Sequence, residues 1–111
     1  RDAIRRFGPV PVVSLDEVGY AAVLWETAEG RQTANNEAYV AGAITAAHRT
    51  LPFGTQVKVT NLANGKSAIV RVNDRGPYAH GRIIDLSVAA AKQIGSTNSG
   101  TARVTLEVLN D

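Results

Sequence analysis

Between Val70 and Ser87 the chain reads VRVNDRGPYAHGRIIDLS, and its rhythm changes twice. Val70 and Val72 alternate with Arg71 and Asn73, the period-2 pattern of a strand with one apolar face. Asp74-Arg75-Gly76-Pro77 then forces a turn. A short apolar run, Ile83-Ile84, restores extended structure before Asp85-Leu86-Ser87. The stretch reads as a strand, a turn and a second short extended run. Its strands are short, they end in Gly and Pro, and they carry carboxylates near their ends, where a rigid scaffold holds chemical groups still.

The flanking sequence extends the pattern. Gln56 to Leu62 reads as a strand, with Val57 and Val59 on one face and Lys58 and Thr60 on the other. Ala63-Asn64-Gly65 supplies a hairpin turn, and Lys66 to Asn73 returns as the partner strand. Ser87 is placed to cap a helix through Val88–Ile94, ended by Gly95. Ser96 to Gly100 is a loop, and Thr101 to Leu109 alternates as a last strand. Val18 to Trp25 is apolar enough for a first strand. Glu26 to Asn36 is a polar surface loop, followed by a brief extended piece over Glu37–Val40. Ala46 and Ala47 favour one helical turn over Thr45–His48, stopped by Pro52 and Gly54. Many short strands with one clear helix and no βαβ repeat predict a small closed barrel.

At 111 residues the length fits one domain, and 44% hydrophobic residues supply a core. Residues 1–18, with prolines at 9 and 11, read as an extended lead-in or linker remnant, and residues 19–111 as the barrel. No apolar window is long enough to span a bilayer. A net charge of +2 without charge blocks gives no nucleic-acid or lipid-binding tail. Cysteine is absent, which excludes a disulfide or thiolate-metal framework. Methionine is absent too, position 1 included, so the chain reads as a trimmed or mature fragment with any export signal upstream.

Four residues stand out for chemistry. Asp74 suits a general acid, but Asp is also ordinary in turns, where it caps or pairs with arginine. Asp85 sits among Ile83, Ile84 and Leu86, which suits a partly buried acid at a strand end, but an acidic residue that helps start the following helix beside Ser87 is the more ordinary role. His48 suits an orienting or proton-sharing group, or a structural one. Glu37 suits an exposed acid or a site residue. His80 reads as solvated. Two histidines without clustered carboxylates give no metal site, and nothing asks for a cofactor. The residues alone do not choose a substrate.

Five segments, in order, resemble the RlpA (rare lipoprotein A) family of bacterial cell-wall enzymes. They are Gly30–Tyr39, Thr45–Thr55, Val57–Leu62 with Asn64-Gly65, Val70–Pro77, and Gly81–Ser87. The resemblance implies a mainly β fold, a six-stranded double-psi β-barrel with one or two short helices, shared in outline with expansins. It implies a lytic transglycosylase that cuts the β-1,4 bond between N-acetylmuramic acid and N-acetylglucosamine, preferring strands stripped of peptide and leaving 1,6-anhydro ends. By the same resemblance Asp74 is the acid/base, His48 orients acid or sugar, and Glu37 tunes charge or binds substrate. Asp85, Arg75, Tyr39, Thr33 and Asn73 are expected to bind substrate or line the cleft. The implied setting is outside the cytoplasm, in the periplasm or at the outer membrane. A monomer is expected there, with glycan strands as partner and division-site proteins as further candidates. The family's first strand carries Ala-Ser-Trp-Tyr-Gly, where this chain has Ala21-Ala22-Val23-Leu24-Trp25. Aliphatics at the aromatic positions make a non-catalytic, expansin-like binding module the alternative. Asn36 stands where the family has Gly, and Asn tolerates positive φ better than other side-chain-bearing residues.

Overall fold

The structure is a computed structural model that describes residues 16–23, 30–78, 81–96 and 101–109. Six strands close into a barrel: β1 (Asp16–Val23), β2 (Thr45–Ala47), β3 (Gln56–Asn61), β4 (Ser67–Asp74), β5 (Arg82–Leu86) and β6 (Thr101–Val108). Around the barrel the order is β1-β5-β2-β4-β3-β6. The β1–β5 and β2–β4 pairs are parallel and the other four antiparallel. A single helix among the described residues, α1 (Val88–Gln93), leaves the end of β5.

Alternation builds the core. Val57 and Val59, Val70 and Val72, Ile84 and Leu86, and Val104 and Leu106 each take the inward face of their strand and are essentially inaccessible to water. Ala21, Ala46 and Ala68 complete the interior, small enough for a narrow six-stranded bore. Each fully buried valine or leucine contributes roughly 1.5–3 kcal/mol, before the entropy of ordering the chain is set against it.

The β3–β4 hairpin forms where the sequence predicts it, with Thr60 opposite Ser67 and Gly65 at φ +74° in the turn. Ser87 caps α1. Its Oγ accepts from the Ala90 amide at 3.2 Å and from the Thr45 amide at 3.3 Å, and donates to the Ala43 carbonyl at 2.6 Å. The same hydroxyl thus starts the helix and ties it to the segment entering β2.

One expected element is different. Thr45–Ala47 is not a helical turn but the strand β2, pairing with β4 on one side and β5 on the other. The helix preference of two alanines is a few tenths of a kcal/mol, and two neighbouring strands offering a backbone ladder and a buried slot outweigh it. β1 starts at Asp16, inside the segment read as a lead-in. The remainder of that segment, residues 1–15, lies outside the described residues, as do Leu24, Trp25 and His80.

Candidate active site

The site is laid out by a short row across the barrel rim. Ala47, the last residue of β2, pairs with Asp74 on β4 and with Asp85 on β5. Adjacent strands lie about 4.8 Å apart, so the two acid-bearing backbones stand roughly 10 Å apart. The β2–β4 register slips between Ala46 and Ala47, with Asn73 as the extra residue, so that Asp74 rather than Asn73 meets Ala47. Such bulges re-aim side chains at barrel rims.

Asp74 ends β4 half-buried. Its Oδ1 accepts from two backbone amides, Arg75 at 2.8 Å and Ala34 at 2.9 Å. These fix the carboxyl plane and leave Oδ2 with no hydrogen-bond partner among the described residues. Neither neighbouring arginine takes it. Arg71 pairs with Glu37 at 2.9 Å. Arg75 donates to the carbonyls of His48 and Asp74 at 3.3 and 3.4 Å and lies over the Phe53 ring, 4.0 Å from its centroid. Gly76, two residues on, has φ +123°, a conformation that residues with a side chain rarely adopt.

The Ala34 amide reaches Asp74 because the loop beneath it is tightly wound. Thr33 Oγ1 donates to Asn35 Oδ1 at 2.6 Å, and Asn35 Oδ1 in turn accepts from the Glu37 amide at 3.2 Å. Asn36 sits at φ +73°, the positive value expected of it. The Asn35 amide bonds to the Asn73 carbonyl at 3.3 Å, stitching loop to strand. Glu37 Oε1 accepts from Asn73 Nδ2 at 2.7 Å and Arg71 Nη2 at 2.9 Å. The Asn73 amide first, and the Arg71 guanidinium second, hold the Glu37 carboxyl below its ordinary range. Glu37 is therefore an anion that occupies Arg71 and keeps it off Asp74.

His48 directly follows β2 and is 4% exposed. Its Nδ1 accepts from the Thr50 and Leu51 amides, both at 3.2 Å, which puts the ring hydrogen of the neutral imidazole on Nε2. Its own amide donates to the Asp74 carbonyl at 3.2 Å. The histidine thus shapes the turn that carries Arg49.

Thr33, Glu37, Asn73 and Asp74 form one network, with His48 and Arg75 attached through backbone. Asp85 and Tyr39 are not in it. Asp85 accepts from Arg82 Nη2 at 2.6 Å, on the far side of β2. Tyr39 is buried, and its hydroxyl accepts from the Val88 amide at 3.2 Å. Beyond Asp85 a groove of about 410 Å³ is lined by Arg49, Tyr78, Gly81, Arg82 and Ile83. At its edge Arg82 Nε is buried with no acceptor, alone in this among the described side chains. The sequence reading missed Arg49 and Tyr78. Their signal is adjacency: one follows His48, the other follows the Asp74–Pro77 turn.

Solved structures with this architecture include a Streptomyces papain inhibitor and the expansin of Clavibacter michiganensis. The first has a TM-score of 0.71 at 21% identity, over 89% of this chain and 98% of that one. The second has 0.68 at 22%, over 87% and 52%. The fold is a double-psi β-barrel. Residues 17–106 match the family described as Lytic transglycolase, and the chain belongs to that family. A relative in Synechocystis, a probable endolytic peptidoglycan transglycosylase RlpA, is 60% identical over 80 residues, 72% of this chain. The endolytic peptidoglycan transglycosylase RlpA of Pseudomonas aeruginosa is 56% identical over 90 residues, 81% of this chain. The matched part is 25% and 26% of those two relatives' lengths.

Proposed function

We propose that this domain is an endolytic peptidoglycan lytic transglycosylase in which Asp74 is the acid/base. The observation that carries the reading is the Asp74 carboxyl: one oxygen is locked by two amides and the other has no partner among the described residues, at the end of a strand on the barrel rim. Family membership supplies the reaction class.

The chemistry needs one such group. Hydrolysis of a glycosidic bond generally takes two carboxyls, because water must be activated as well as the leaving group protonated. In lytic transglycosylation the muramyl C6 hydroxyl replaces water. Asp74, protonated on Oδ2, gives its proton to the glycosidic oxygen as the C1–O bond breaks. The resulting carboxylate then takes the proton of the C6 hydroxyl as that oxygen bonds to C1. The product is a 1,6-anhydro ring, and Asp74 is protonated again. Asp85, neutralised by Arg82, is not required as a second acid. Glu37, Asn73 and Thr33 position the loop that fixes Asp74, and His48 positions the turn beyond β2.

The setting that follows is the exported wall: periplasm or outer-membrane face, peptide-stripped glycan strands as substrate, and remodelling as daughter cells separate, with division-site proteins as candidate partners. Incubation with amidase-treated sacculi, followed by mass spectrometry, should release anhydro-ended glycans. The second reading, a non-catalytic expansin-like module, is supported by Val23 and Leu24, aliphatic residues at the positions where the family's first strand carries its aromatic pair. Sedimentation with sacculi and no new ends would favour it, and ordinary reducing ends would mean a hydrolase.

A further inference from the structure

Beyond Asp74 the chain passes through Gly76 and Pro77, and Tyr78 projects from the surface, 75% exposed. Arg49 faces the same groove. Its Nε donates to the Pro77 carbonyl at 2.7 Å and its Nη2 to the Arg82 carbonyl at 2.8 Å. Both partners are neutral, and among the described residues no carboxylate forms an ion pair with Arg49. The second guanidinium of the groove, Arg82, is matched by Asp85. Among the described residues Arg75 likewise bonds only carbonyls and the Phe53 ring, on the Asp74 side. The groove therefore offers an unmatched cation held in place by two carbonyls, an exposed aromatic ring and an apolar wall at Ile83.

That combination suits a ring that carries an anion. An aromatic face packs on the apolar side of a sugar, and a guanidinium fork matches a carboxylate in shape and charge. We propose that the Arg49–Tyr78 groove is a specificity site for the free lactyl carboxylate of a muramyl residue. This rests on the transglycosylase reading and deepens it. In a peptide-bearing strand the lactyl carbonyl is bound to the stem peptide as an amide and carries no charge. Hydrolysis of that amide releases the peptide amine and leaves a carboxylate. Arg49 meets an anion only after this step. A preference for stripped strands then has a positive cause as well as relief from crowding, and the reaction class that supplies the substrate is amide hydrolysis at the lactyl group.

The test uses the 111-residue chain with Asp74→Asn, so that strands are bound without being cut. Three probes are compared: stripped glycan strands, the same strands with carboxylates converted to amides by carbodiimide and ammonia, and peptide-bearing strands. Stripped strands should bind about tenfold tighter than the amidated ones, the value of one charge-assisted hydrogen bond. The ratio should shrink as salt is raised. Arg49→Gln should level the ratio, and Arg49→Lys should keep part of it. If Arg49→Gln does not fold, the salt series and the amidated probe still decide. Equal binding of stripped and amidated strands overturns the proposal. So does a folded Arg49→Gln chain that still discriminates, or peptide-bearing strands that bind as tightly as stripped ones, which would place recognition on peptide carboxylates. Discrimination without any anhydro product from the unmutated chain would remove the transglycosylase reading and leave the carboxylate groove standing. Anhydro product without discrimination would do the reverse.

Discussion

Asp74 and Asp85 flank the same residue, Ala47, from opposite sides, yet the two rims they occupy are built differently. On the β4 side the carboxyl is held by backbone amides, and the two arginines next to it in sequence are turned elsewhere: Arg71 to Glu37, Arg75 to carbonyls and Phe53. On the β5 side the carboxyl is matched by Arg82 three residues away. Amides orient a carboxyl and leave it an oxygen with which to move a proton, whereas the Arg82 guanidinium at 2.6 Å engages the Asp85 carboxyl in a charge-assisted bond. The comparison teaches that arginines close in sequence need not be partners. Glu37 matters because it diverts one of them.

The largest effect should come from Asp74→Asn, which removes the transferable proton but keeps the shape. Anhydro product formation should fall by at least about a hundredfold, the usual scale for a general acid, with the circular dichroism spectrum unchanged. Asp85→Asn should cost less than about tenfold. Equal losses from the two variants would break the contrast between the rims. Next comes the backbone just beyond Asp74. Gly76→Ala forces a side chain into φ +123° and should lower stability by about 1–3 kcal/mol in urea titrations. A neutral result would show that the turn can relax.

Asn73→Ala should sharpen the role of Glu37. With its largest stabilising partner gone, the Glu37 carboxyl should titrate at higher pH in a carbon-detected NMR experiment, toward the ordinary value. No movement would mean that Arg71 alone sets it. The smallest effect is on stability. The Glu37 carboxyl titrates lower in the folded chain than in the unfolded one. Its contribution is therefore present above the unfolded value and is lost as pH falls through the folded one. Glu37→Gln should cost less than about 1 kcal/mol at neutral pH, since both partners are more than a third exposed. That difference should vanish in acid. A penalty that persisted in acid would point to packing rather than charge.

Much of the scaffold was legible because its signals are local. The alternating valines of β3 and β4, the Asn64-Gly65 turn, the Ser87 cap and the positive φ of Asn36 each depend on a few neighbouring residues. β2 was not legible. Three small residues have no periodicity of their own, and the strand exists because β4 and β5 lie on either side of it.

For the site, the amino-acid order determined which residues could act: an acid after a strand, a histidine before Arg49, a glutamate after an Asx-rich turn. Only the tertiary structure decided which of them meet. Closing the barrel brings the Ala34 amide to Asp74 across 40 positions, and Arg71 to Glu37 across 34. It also sets Arg49 against the Pro77 and Arg82 carbonyls with its charge unmatched. Hydrogen bonds and ion pairs act over a few ångströms of space, and a linear pattern carries no record of which distant residues the barrel will bring within that range.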